Sequence, residues 1–343
     1  MKKYIYMMLV VLTAGFASCS NDDIPMEEDV TMKTFDANFK INPKTVIEPF
    51  TYEAKDGELQ VFDEKYQLRV RLLLYNQVGD YIDEEVQKFP SYMVTMQSSK
   101  QLQAGSYKAI VITDLELKSS YSEETYVKEY WKLSDYKESN LSNLKIMDGG
   151  KVAGKNKILG IAYQNFTIEP NGINEVKIDV KPAGGIMLLY NYYHHYREYV
   201  KQIQLGTNKL VKEVIFSVDG SYSTNEFVDQ KYDNKRLYVL NNKTECNGES
   251  CGHINYDYIF VLPAEYNLKW MLSDTYTDFK DLHEAHQEPM TVNIREGEEW
   301  FIGLNLKEGY YLEPQQLEGS RAVNPIWDAE PIFIPENLRE NNK

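Results

Sequence analysis

The side chains able to do chemistry are few in this 343-residue chain, which holds five histidines and three cysteines. Cys246 and Cys251 enclose Asn247-Gly248-Glu249-Ser250. Two readings exist for them: a local disulfide, or a metal site that recruits His253. The metal reading lacks a second Cys or His pair at finger-like spacing. His283-Glu284-Ala285-His286 falls on a polar stretch, 278–288, that reads as helical. It is not the zincin H-E-x-x-H pattern, because Gln287 holds the position of the second His. Two histidines three apart can share a helix face and bind a metal, and a solvated helix face is the plainer reading. His194 and His195 are neighbours, which on a strand point to opposite faces. The run Tyr190, Tyr192, Tyr193, Tyr196 and Tyr199 could stack on sugar rings or simply fill a strand. No G-x-S-x-G, P-loop, dinucleotide or EF-hand pattern occurs. The 52 acidic residues allow no assignment of a glycosidase pair. The sequence therefore predicts no catalytic residue, no metal, no cofactor, and a protein that is not an enzyme.

Charge narrows the partners. The formal net charge of −15 lacks the basic footprint that nucleic acid requires. An apolar fraction of 43% is enough to build real cores. The N-terminus carries an address. Lys2 and Lys3 precede the apolar run Met7–Phe16, which is too short to span a bilayer, and small residues follow. Phe16-Ala17-Ser18-Cys19 resembles a bacterial lipobox, although Phe16 replaces the usual aliphatic residue. The resemblance implies cleavage after residue 18 and lipidation at Cys19. Ser20-Asn21-Asp22-Asp23 resembles the surface-export signal of Bacteroidota lipoproteins. Acyl chains on Cys19, at about 0.8 kcal/mol per buried CH₂, would make outer-membrane lipid a lasting partner. An exported protein sits where disulfides persist, which favours a Cys246–Cys251 bridge over a metal site. The closed loop is short, so the bridge is worth only about 2 kcal/mol.

The elements that would position such residues are strands. Tyr66–Asn76 reads as a strand with Leu68, Val70, Leu72 and Leu74 on one face. A turn at Gln77-Val78-Gly79-Asp80 leads to a partner strand beginning at Tyr81. Residues 91–96 alternate again, and Leu102-Gln103-Ala104-Gly105 turns into the β-rich run Ser106–Asp114. Phe166–Ile168 and Val176–Val180 read as a hairpin about Pro170-Asn171-Gly172. One stretch, 120–137, reads as a short helix: Ser120 and Glu123 form a capping box, and Tyr126, Tyr130 and Trp131 follow at helical spacing.

A repeat is visible in two landmarks. Leu73-Leu74-Tyr75-Asn76 recurs as Leu188-Leu189-Tyr190-Asn191, and Leu102-Gln103-Ala104-Gly105-Ser106-Tyr107 recurs in outline as Leu262-Pro263-Ala264-Glu265-Tyr266. Their shared order predicts a duplicated β-domain with a boundary at Lys181-Pro182-Ala183-Gly184-Gly185. With the lipobox Cys, this resembles the Bacteroidales fimbrillin family of pilus shaft, tip and anchor subunits. The resemblance implies an all-β chain of two tandem transthyretin-like β-sandwiches with one or two short helices. Its predicted organisation is a signal peptide at 1–18, an acidic tether at 19–34, and domains at 35–182 and 183–343. The Arg common at the family's domain junction is replaced here by Pro182-Ala183-Gly184-Gly185.

That resemblance implies a surface-exposed, structural or adhesive subunit of the outer membrane. Other fimbrial subunits are its expected partners, through β-strand addition. In shaft subunits an arginine-directed protease removes an N-terminal strand. Here no Arg lies between Cys19 and Arg69, and Arg69 falls inside a predicted core strand. An anchor or stand-alone protein fits better than a shaft repeat. The second expectation is a glycan-binding surface lipoprotein of a polysaccharide-uptake system.

Overall fold

The computed structural model describes residues 33–43, 65–89, 95–124, 126–137, 139–149, 157–194, 202–228, 236–241, 252–273, 282–284, 289–305, 310–317 and 331–333. Residues 35–343 pack as one compact unit. The first ten strands are β1 (Thr34–Asn42), β2 (Tyr66–Asn76), β3 (Tyr81–Phe89), β4 (Met96–Gln103), β5 (Gly105–Leu117), β6 (Trp131–Leu133), β7 (Lys145–Asp148), β8 (Leu159–Ile168), β9 (Asn174–Asp179) and β10 (Lys181–Pro182). They form a small sheet of order β4-β1-β9 and a larger one of order β10-β8-β5-β2-β3. Phe39 of the small sheet meets Phe166 of the large one edge to face, ring centroids 5.3 Å apart.

The remaining strands are β11 (Gly185–His194), β12 (Gln202–Thr207), β13 (Lys209–Phe216), β14 (Tyr222–Val228), β15 (Arg236–Asn241), β16 (Gly252–Val261), β17 (Ala264–Ser273), β18 (Leu282–Glu284), β19 (Met290–Ile294), β20 (Glu299–Asn305), β21 (Tyr310–Leu312), β22 (Gln315–Leu317) and β23 (Pro331–Phe333). They make sheets of order β16-β11-β20-β21-β23 and β15-β12-β17-β18, with β19 also on β17 and β22 on β20. The connectivity of the first half recurs. β1 lies parallel to β9 as β11 lies parallel to β20. β2 sits between β3 and β5 as β12 sits between β15 and β17. β8 pairs with β5 as β19 pairs with β17.

The two sequence landmarks fare differently. Leu73–Asn76 lies on β2, but Leu188–Asn191 lies on β11, which occupies the place of β1. That four-residue match joins non-equivalent strands. The second landmark does mark equivalent corners: the chain leaves the sheet of β4 for that of β5, and the sheet of β16 for that of β17. At each corner a tyrosine hydroxyl reaches back four residues. Tyr107 donates to the Gln103 carbonyl at 2.9 Å, and Tyr266 to the Leu262 carbonyl at 2.6 Å. Such a bond ties a strand's first residues to the turn that redirected them.

Three other expectations change. Residues 120–137 are turns and β6, with no helix over their described part, and the one helical turn among the described residues is 3-10, at Leu141–Asn143. Tertiary pairing wins over local signals there: Leu117 N–H donates to the Lys128 carbonyl at 2.8 Å, and Glu116 and Glu129 form an isolated antiparallel bridge. The stretch around His283 is strand β18 over Leu282–Glu284 rather than helix. β8 and β9 follow one another about a turn but pair in different sheets, so the expected hairpin is a corner.

Both halves contribute to a fifth sheet of order β14-β13-β7-β6. β6 and β7 are inserted between β5 and β8, and β13 and β14 between β12 and β15. β7 pairs with β13 through Ile146 and Val214, both fully buried. The insertion also explains why β2 is buried on both faces: Leu73 and Arg69 are covered along with Leu68, Val70, Leu72 and Leu74. A strand covered on both sides reads as a near-continuous apolar run, as this one does.

Candidate assembly site

β1 is the N-terminal strand of the described fold, the one that the expected β-strand addition would involve. Alternation decides its faces: Ala37, Phe39 and Ile41 are buried, whereas Asp36, Asn38 and Lys40 are exposed. It holds the centre of its sheet, parallel to β9 from Ala37 opposite Asn174 to Asn42 opposite Asp179. On the outer face Lys40 Nζ meets Glu175 Oε1 at 2.7 Å, and hydrogen bonding to Lys40 holds the Glu175 carboxyl below its ordinary value. Asn42 donates to Asp179 at 3.1 Å, and Gln101 of β4 donates to Asp36. A shallow cavity of about 500 Å³ opens on this face, lined by Asn38, Lys40, Gln97, Ser99, Glu175 and the fully presented Ile173. Chemically this face offers hydrogen-bonding side chains, because the main chain of β1 is already paired on both edges, by β4 and β9.

On the face of the large sheet turned away from β1 lies a buried ion network. Arg69 on β2 stands opposite Asp114 on β5. Its guanidinium takes the carboxylate with both prongs, Nε to Oδ1 at 2.8 Å and Nη2 to Oδ2 at 2.5 Å. Nη1 donates to Glu129 at 2.9 Å and lies 3.4 Å from Glu116, which Lys88 meets at 2.6 Å. Burial works against the Arg69 charge, but the bonds and charges of Asp114, Glu129 and Glu116 outweigh it and raise its pKa. Complete burial pushes the Asp114 carboxyl up, against the pull of Arg69. Arg69 is 4% exposed and holds the 126–131 segment against the sheet through Glu129.

The edges of the two sheets are stitched by Glu85 of β3. It accepts from Ser98 of β4 at 2.5 Å and from Gln87 at 2.6 Å, and Lys100 stands 3.1 Å away. Burial raises its pKa, and these three partners together bring it below the ordinary value.

The residues singled out from sequence are dispersed. Cys19, Cys246, Cys251, His195 and His286 lie outside the described residues. His283 is on β18, and His194 ends β11, which is paired on both edges by β16 and β20. Tyr190, Tyr192 and Tyr193 are on that same doubly paired strand. Arg69 lies in the central strand as expected. Among the described residues no group of three or more His, Cys, Asp or Glu could hold a metal ion, and no helix is long and apolar enough to cross a membrane. Sequence reasoning missed the Arg69 network and a second buried pair, Lys157 with Asp148. The signal for the first was an arginine amid leucines in a central strand, which demands a carboxylate on its neighbour.

No protein-family model and no curated protein matches the chain. Similar solved structures include a candidate polysaccharide-binding protein of Bacteroides thetaiotaomicron, 8% identical, covering 84% of this chain and all of that one, with TM-score 0.44. A candidate adhesin of the same species is 9% identical over 82% of this chain and 97% of that one, with TM-score 0.43. The fimbrial anchor protein Mfa2 of Porphyromonas gingivalis is 9% identical over 79% of this chain and 90% of that one, with TM-score 0.40. A fimbrial assembly protein of Parabacteroides distasonis is 10% identical over 87% of this chain and 98% of that one, with TM-score 0.37.

Proposed function

We propose that this chain is a non-enzymatic, fimbrillin-like lipoprotein of the bacterial surface, anchored in the outer membrane through Cys19. It is built from two tandem transthyretin-like sandwiches, 35–182 and 183–343, and serves as an anchor or stand-alone adhesive protein. The observation that carries the reading is the placement of Arg69. No arginine lies between Cys19 and this residue. Arg69 itself is buried, in a central strand, in a bidentate pair. A protease directed at arginine has no accessible arginine with which to free β1, and cutting at Arg69 would take β2 apart. β1 therefore stays in its sheet, and the lipidated N-terminus stays attached. Fractionation of cells carrying Cys19→Ala tests the anchor: the variant should leave the membrane fraction and lose acyl label. Mass spectrometry of surface-extracted protein tests the uncut N-terminus. A chain trimmed past residue 42, in SDS-resistant ladders, would identify a shaft subunit instead.

A glycan-binding role is the second reading, and one observation favours it. The cavity over β1 presents neutral hydrogen-bonding groups, Asn38, Gln97 and Ser99, beside an internally neutralised Lys40–Glu175 pair. Asn38→Ala with Gln97→Ala should abolish retention on a glycan surface if this face binds sugars.

A further inference from the structure

Lys157 and Asp148 are a buried pair outside the assembly site. Lys157 Nζ lies 2.6 Å from Asp148 Oδ2, with the two side chains 7% and 3% exposed. The Trp131 ring stands 5.3 Å from Nζ, and the buried Phe260 ring packs on Trp131 in a T-shaped contact at 6.4 Å. Burial lowers the Lys157 pKa, and the charge of Lys212 acts the same way against the pull of Asp148. A desolvated lysine is a nucleophile, and its attack on an adjoining carboxyl needs no encounter step. The dry surroundings also keep water from reversing an amide once it forms.

We propose that Lys157 and Asp148 join in the folded protein through an intramolecular isopeptide bond. A proton passes from the Lys157 ammonium to Asp148 across their contact, leaving a neutral amine and a neutral acid. Nζ attacks Cγ and forms the new N–C bond. The bond from Cγ to the protonated oxygen breaks, and a second Nζ proton leaves with that hydroxyl as water. Ammonium and carboxylate become one amide and one water, with no oxidant or cofactor. The bond closes the 148–157 segment and fixes the end of β7 to the chain entering β8. β7 is the strand through which the first half pairs with β13 of the second.

Tryptic mapping of the full chain by mass spectrometry decides the matter. Trypsin should fail to cut after Lys157 and should release peptides 146–151 and 156–177 as one branched species. That species should weigh one water less than the two peptides together, and it should survive boiling in denaturant. Lys157→Arg keeps a cation beside Asp148 but removes the amine, so it should release 146–151 at full mass. Free 146–151 and complete cleavage after Lys157 in the unaltered protein would reduce the pair to a simple ion pair and overturn the proposal.

Discussion

At the scale of single residues, the arginine in β2 explains more than any histidine or cysteine. Arg69→Ala leaves Asp114 buried and unpaired, and should cost about 3–5 kcal/mol in denaturant unfolding. Arg69→Met combined with Asp114→Leu removes both charges together and should recover most of that loss, since a well-packed apolar pair often matches a buried ion pair. A double variant as unstable as Arg69→Ala would show that packing, and not the stranded charge, is the cost. Glu85 gives the pH counterpart. Its folded pKa lies below the ordinary 4.5, so its bonds to Ser98, Gln87 and Lys100 stabilise the fold above that value. The contribution disappears as the pH falls through the lowered pKa. Stability measured from neutral to acid pH should therefore fall less steeply for Glu85→Gln than for the unaltered chain. Parallel acid limbs in the two proteins would contradict this linkage.

At the scale of elements, much was legible and some was not. β2 spans the predicted Tyr66–Asn76, because an apolar strand with a marked turn after it is a local signal. The corner at Leu102–Tyr107 was legible as well, and its twin at Leu262–Tyr266 carries the same hydroxyl bond. Tyr266 is buried, so Tyr266→Phe should cost about 1–2 kcal/mol by leaving the Leu262 carbonyl without this donor. Tyr107→Phe should cost less, because water can replace its more exposed hydroxyl; equal losses in thermal unfolding would remove the distinction. The helix expected over 120–137 failed because Ser120, Glu123 and the aromatic spacing are local cues. The pairing of Leu117 with Lys128 is set by what that segment must cover. The parallel pairing of β1 with β9 was not legible at all, since hydrophobic alternation gives a strand's faces but never its partner.

At the scale of the molecule, the fifth sheet makes the halves one body. The β13–β14 turn reaches back onto the first half: Lys108 Nζ donates to the Val218 carbonyl at 2.6 Å. Gly220, at φ +90°, packs so closely on the Tyr163 ring that a Cβ there would clash with it. The expected result is a single calorimetric unfolding transition, with calorimetric and van't Hoff enthalpies equal. Gly220→Val carries both a disfavoured backbone angle and a clash with Tyr163, and should split that transition in two or broaden it. A wild-type protein that already melts in two steps would show that the shared sheet does not couple the halves. The placement of β1 has a last consequence, for the order in which the chain acquires its structure. Ala37 pairs with Asn174, so the first strand waits for a partner made more than a hundred residues later. Closing so long a loop precedes any gain from the contacts it brings, which slows folding. A partly synthesised first half thus has no finished small sheet to collapse into. The larger sheet can pair from β3 through β8 before β9 exists, so the small sheet is the part of the first half that closes last.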